Sequence, residues 1–259
     1  MKPWYSLEGK TIWVTGGAGY LGSAITTELD GICAKVLCFD LSARAEALVR
    51  EKKLQRTVPL SFDFTQAAGL SEALESLFAE HGLPDGVVHL VPVSSSGKRL
   101  ENLTADDFQR TFDQALTPTF ILCRTLAERM KPRGSGSIVL FSSMYGVVAP
   151  DARIYHDPMT PNPIDYGASK AAILQLARYF AMHYGPSGIR FNCITPGPFP
   201  NPAVQKSHPA FIGDLSQKTV MHRIGQNSEI VGPTLFLLTD SASFVTGHSL
   251  VVDGGWTIW

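Results

Sequence analysis

The sequence has no long run of lysine or arginine, and its 22 basic residues are nearly balanced by 23 acidic ones, leaving a net charge of −1. Without a basic stripe, neither nucleic acid nor an anionic membrane surface has an electrostatic footprint. No apolar stretch exceeds strand length, too short to span a bilayer, and Met1 to Lys10 lacks the apolar core of a signal peptide. The four cysteines, Cys33, Cys38, Cys123 and Cys193, form no CxxC pair, and no histidine cluster has metal-ligand spacing. The reading is four reduced thiols in a cytoplasmic protein with no metal and no disulfide. What remains is 259 residues, 44% hydrophobic and 17% charged, enough for a sizeable buried core.

Strand-like runs alternate with helical patterns. The strands are expected at Thr11–Thr15, Ala34–Asp40, Val58–Phe62, Gly86–Val93, Ser137–Phe141, Ile189–Ile194 and Leu250–Asp253. Helices are expected at Leu21–Leu29, Leu70–His81, Thr104–Met130, Tyr166–Tyr184 and Glu229–Leu238. This alternation predicts one doubly wound α/β domain over residues 1–259, with a mostly parallel seven-stranded sheet and helices on both faces. Two proline-rich stretches, 146–163 and 196–214, break the rhythm. Both follow strand ends, where open α/β sheets bind ligands. The first is expected to be an active-site loop, and residues 198–222 a substrate loop.

Thr15 to Gly22 reads TGGAGYLG, between a strand and a helix. Gly16, Gly19 and Gly22 permit a tight turn and close backbone approach, and the helix start at Tyr20 and Leu21 offers free N–H groups to a pyrophosphate. A packing turn could use the same glycines. Asp40 ends the second strand about twenty residues on, where a carboxylate can accept from both ribose hydroxyls and repel a 2′-phosphate. That favours NAD over NADP, although Arg44 nearby weakens the exclusion. Further on, YGASK places Tyr166 and Lys170 four apart, on one helix face. A free phenol, with pKa near 10, is a poor base at neutral pH, and a neighbouring ammonium is expected to lower it.

With these pieces in place, the chain resembles the short-chain dehydrogenase/reductase family nearly end to end. The resemblance is carried by TGGAGYLG, Asp40, FDFT around Asp63, IVLFSS ending at Ser143, YGASK, RFNCITPG at Arg190 to Gly197, and FVTGHSLVVDGG at Phe244 to Gly255. It implies a Rossmann-type fold and direct hydride transfer between NAD and a carbinol or carbonyl carbon of a small-molecule substrate. Tyr166 is implied as the general acid/base, Lys170 as its partner and as a ribose ligand, and Ser143 as the donor to the substrate oxygen. Asp63, Phe64 and Val91 are implied beside the adenosine. Pro196, Gly197 and Phe199 are implied around the nicotinamide.

The pattern departs in three places. His89, Leu90, Val91 and Pro92 stand where many relatives have NNAG, and Pro92 has no N–H to offer. Ala115 replaces an asparagine that supports the proton relay to the lysine. Ser143 and Tyr166 are 23 positions apart, a spacing resembling nucleotide-sugar-modifying members, while the carboxy-terminal half resembles the compact branch. The inserted loop brings Arg153, Tyr155, His156, Asp157 and Met159 near the substrate mouth, where they either bind substrate or form a solvated surface. The long loop resembles that of surface-sugar enzymes, which tilts the substrate toward a polyol or sugar. The competing readings are an epimerase or dehydratase holding NAD, and a non-catalytic dinucleotide sensor. A homo-oligomer, a tetramer before a dimer, is expected from the helix apolar on several faces, Tyr166–Tyr184, and from the tail, Trp256 to Trp259.

Overall fold

The computed structural model describes residues 5–90 and 97–259. Seven strands form one sheet in the order β3-β2-β1-β4-β5-β6-β7, and every neighbouring pair is parallel. They are β1 Thr11–Thr15, β2 Lys35–Asp40, β3 Thr57–Ser61, β4 Gly86–His89, β5 Gly136–Phe141, β6 Ile189–Pro196 and β7 Ser249–Val252. The chain reverses direction across the sheet between β1 and β4, opening a crevice at the carboxyl ends of the strands.

Alternation along each strand sends apolar side chains to both faces. Trp13, Leu37, Phe39, Val87, Ile138, Leu140 and Phe191 meet the helices α3 (Leu70–His81), α4 (Ala105–Met130) and α5 (Ile164–Tyr184). Ile12, Val14, Val36, Val88, Val139 and Ile194 face α1 (Tyr20–Ile32) and α8 (Val231–Leu238) on the other side. α4 begins at a reciprocal cap between Thr104 and Asp107. Asn192, buried on β6, donates to the Val245 carbonyl and accepts from the His248 N–H, pinning the turn that feeds β7.

Two segments differ from the sequence reading. α2 (Arg44–Lys52) was not expected, because its largely polar nine residues bury only Ala45 and Leu48. The stretch read as irregular after Pro196 contains two helices, α6 (Pro202–Ser207) and α7 (Pro209–Lys218), each opening on a proline. Proline suits the first helical position, where its missing N–H costs nothing, so these prolines start helices rather than break them. Asn201 completes the first by accepting from the Val204 N–H. Val91 and Pro92 lie outside the described residues.

Among the described residues, no helix is long and apolar enough to cross a membrane. All four cysteines are buried with free thiols.

Candidate active site

A cleft of about 450 Å³ runs along the carboxyl ends of the central strands. It is bordered by Gly16, Gly19, Tyr20, Leu21, Asp40, Asp63, Phe64, Ser143, Tyr166, Lys170, Pro196, Gly197 and Phe199. The sequence reading singled out all of these; Val91, its remaining candidate, falls outside the described residues. Arg44, read as a neighbour of Asp40, also borders the cleft, as do Thr15, Leu41, Phe62, Leu90 and Asn201. The Asn-Pro pair at 201–202, a helix-start signal, was the available clue to Asn201.

The glycine turn is built for close approach. Gly16 has φ +66°, and a Cβ there would sit 3.0 Å from the Leu90 carbonyl oxygen. A Cβ on Gly22 would lie 2.1 Å from the Gly16 carbonyl oxygen. Among the described residues, no side chain caps α1 at Gly19, and its first turn holds no acidic residue. An uncapped helix start beside a cleft fits a pyrophosphate, which its N–H groups and dipole favour.

Asp40 is nearly buried. Its carboxylate accepts from the Ala18 and Leu41 N–H groups, both at 2.9 Å, and pairs with Arg44 at 3.1 Å. It therefore shapes the turn and also borders the cleft. Asp63 accepts from the Thr65 N–H and hydroxyl and from Gln66. Burial pushes its pKa up, but these donors outweigh it and hold the carboxyl below the usual range.

At the other end, β5 and α5 bring Ser143, Tyr166 and Lys170 together. Ser143 hydrogen-bonds to Tyr166 and accepts from the Tyr145 N–H at 3.2 Å. The Lys170 ammonium donates to the Phe141 carbonyl at 3.1 Å and lies 5.8 Å from the centre of the Tyr166 ring. Burial lowers the Lys170 pKa to about 8. Burial also raises that of Tyr166, against the hydrogen bond from Ser143. The sequence reading expected the lysine to lower the phenol. In this structure desolvation dominates, because both groups are enclosed and burial penalises the phenolate.

Above the site, the inserted loop is tied to α7. Asp151 pairs with both Arg153 and Lys218, His156 meets Asp214 at 2.6 Å, and the Tyr145 and Tyr155 hydroxyls are 2.7 Å apart. Asp157 pairs with Arg99 at 3.4 Å. Met144, Tyr145, Ile154, Phe211, Leu215 and Trp256 form a small apolar cluster against which Tyr155, Met159 and Tyr166 pack. The tail folds back: Trp256 is buried beneath Lys218, and the Trp259 indole donates to the Lys218 carbonyl. One of the two aromatics read as interface residues is thus satisfied within the chain, while Ile258 and Trp259 stay exposed.

Gly22→Ala is expected to cost about 2 kcal/mol or more, because its methyl group collides with backbone that cannot yield. Chemical denaturation, read beside NADH titration, checks this; unchanged stability and binding count against the tight turn.

A family model described as enoyl-(acyl carrier protein) reductase matches residues 17–257. The chain is 30% identical to the D-threitol dehydrogenase of Mycolicibacterium smegmatis, over 98% of this chain and 95% of that one. It is 31% identical to the 2,5-dichloro-2,5-cyclohexadiene-1,4-diol dehydrogenase of Sphingobium indicum, over 97% and 98%. A crystal structure of a short-chain dehydrogenase from Leptospira borgpetersenii with bound NAD+ superimposes with a TM-score of 0.84 at 30% identity, covering 99% of this chain and 96% of that one. By the family model, by relatives of this identity along nearly the whole chain and by the shared fold, the chain belongs to the short-chain dehydrogenase/reductase family.

Proposed function

We propose that the chain transfers a hydride between NAD(H) and a secondary alcohol or carbonyl carbon of a small substrate, one domain supplying both the cofactor and the substrate walls. The observation that carries this reading is the convergence of Ser143, Tyr166 and Lys170 in the same cleft as the uncapped start of α1 and Asp40. The cofactor, when bound, takes up or supplies the hydride. The chain's own groups manage the proton. In oxidation the hydroxyl proton passes to the Tyr166 phenolate oxygen as the C–H pair leaves as hydride; in reduction the phenol returns a proton to the new alkoxide. Ser143 holds the substrate oxygen. The raised pKa of Tyr166 keeps it protonated at neutral pH, which suits the reduction. Oxidation needs positive charge beside the phenol, and Lys170 is the nearby source.

The test is a screen of alcohols and ketones followed by NADH absorbance. Tyr166→Phe is expected to lower turnover by at least about 10²-fold with NADH binding intact, while Lys170→Ala damages both. Full turnover in Tyr166→Phe sinks the mechanism.

Asp40 supports NAD over NADP, since its carboxylate borders the cleft and repels a 2′-phosphate. Arg44, more than half exposed and paired with it, is a cation that such a phosphate could take instead. Asp40→Ala is expected to narrow the affinity gap between NADH and NADPH, and Arg44→Ala to widen it. Direct titration of both cofactors decides; a wild type that favours NADPH overturns the assignment.

The resemblance to a D-threitol dehydrogenase supports a polyol-like substrate. A second reading, a cyclic alcohol, is favoured by the apolar cluster against Tyr166 and by the resemblance to a cyclohexadiene-diol dehydrogenase. The screen separates them if linear polyols and ring alcohols are run side by side. The four buried, unbridged thiols suit a cytoplasmic address.

We further infer a homotetramer. Phe120 on α4 and Tyr179 and Met182 on α5 are exposed apolar residues. Phe244, Val251, Ile258 and Trp259 are exposed around the edge strand β7 and the tail. Two distinct self-complementary patches are what a dihedral tetramer uses. Sedimentation at micromolar concentration is expected to give four times the chain mass; a stable monomer refutes both patches as interfaces.

A further inference from the structure

His89 ends β4 with 1% of its surface exposed, and the proposed chemistry makes no use of it. Its Nδ1 lies 2.6 Å from the Thr15 hydroxyl and its Nε2 lies 3.0 Å from the Thr119 hydroxyl. Thr119 donates its only hydroxyl proton to the Ala115 carbonyl at 2.6 Å. That fixes the direction of every bond. With its proton committed, the Thr119 oxygen accepts from His89, so Nε2 carries the ring proton. Nδ1 is then an acceptor, filled by the Thr15 hydroxyl. The ring is neutral, a state that burial and the charge of Lys170 both favour. A single directed chain therefore runs Thr15→His89→Thr119→Ala115, from the end of β1 into α4.

Thr15 leads into the glycine turn, and that turn is seated on the end of β4. The Leu90 N–H donates to the Thr15 carbonyl at 3.2 Å. Gly16 lies so close to Leu90 that a Cβ would be 3.0 Å from its carbonyl oxygen. Any shift of His89 is passed to the first two residues of the turn. His89 in turn is held by Thr119, which is fully buried and does not border the cleft.

We propose that His89 is a positioning residue for the dinucleotide turn, and that Thr119, acting through it, sets cofactor affinity from outside the cleft. This rests on the proposed NAD(H) function. In NADH fluorescence titrations, Thr119→Val is expected to weaken binding about fivefold or more, because it leaves the buried Nε2–H without an acceptor. Thr119→Ser restores the hydroxyl and is expected to bind within about twofold of wild type. His89→Gln is expected to do the same, since its carbonyl can accept from Thr15 while its N–H donates to Thr119. Nitrogen NMR of the histidine-labelled wild type is expected to show Nε2 protonated and Nδ1 bare. A protonated Nδ1 overturns the directed chain even if a variant fails to fold. Thr119→Val with a lower Tm but wild-type NADH affinity overturns the positioning role and reduces His89 to a packing residue. A wild type that binds no NADH overturns the proposed function, and this inference with it.

Discussion

The approach of α5 to the end of β5 is the contact on which the site depends. A Cβ on Gly146 would lie 2.8 Å from the Lys170 carbonyl carbon, so only glycine lets the helix come this close. The Ser142 hydroxyl donates to the Lys170 carbonyl, and the Lys170 ammonium donates back to the Phe141 carbonyl. Two elements distant in sequence are thus fastened within one turn of Tyr166, and the phenol is delivered to Ser143. Behind the fastening, Ile173, Ala177 and Phe180 are buried against the sheet, with the Phe180 and Phe191 rings stacked at 5.1 Å. A packed helix holds a reacting group in place more tightly than a loop does. The cost is a buried ammonium, which its carbonyl partner offsets and which shows as a pKa brought down to about 8.

The opposite half of the cleft is built on the same economy of close contacts. Thr26 donates to the Gly17 carbonyl, and Gly17 donates to the carbonyl of Phe39. Asp40, one residue on, accepts from Ala18. The turn, the helix it opens and the end of β2 therefore form one hydrogen-bonded unit. The carboxylate that borders the cleft is also the one that shapes the turn, so its position is not free to drift.

Much of this was legible because it is local. A strand, a glycine turn and an uncapped helix follow one another within about a dozen residues, and YGASK declares its geometry by helical spacing alone. What the sequence concealed depends on contacts between distant segments. The helix at 44–52 carries too few apolar residues to show a period, and its burial is set by Cys38 and Ala18 across the chain. The helices after Pro196 were hidden by prolines that read as breakers in isolation and as starters in context. The upward shift of Tyr166 follows from enclosure by the insertion, by α7 and by the tail, none of which can be weighed from YxxxK. The polar chain through His89 needs Thr15, His89 and Thr119 to meet, and they come from three separate elements.

The insertion shows how a polar loop can make an apolar site. Its charged residues left substrate binding and a solvated surface as alternatives; in the fold they pair with one another and with neighbouring segments. Asp151 stands between Arg153 and Lys218, which together keep its carboxyl well below the usual range. His156 reaches Asp214, and Asp157 reaches Arg99. Each such surface pair adds little by itself, but Lys218 also covers the Trp256 ring, so loop, α7 and tail meet at one side chain. With the charges turned outward into this framework, the side chains left to pack on Tyr166 are aromatic and aliphatic. Among them the Tyr145 and Tyr155 hydroxyls hydrogen-bond to each other, so the insertion meets Tyr166 with an apolar wall although it carries Asp151, Arg153 and Asp157.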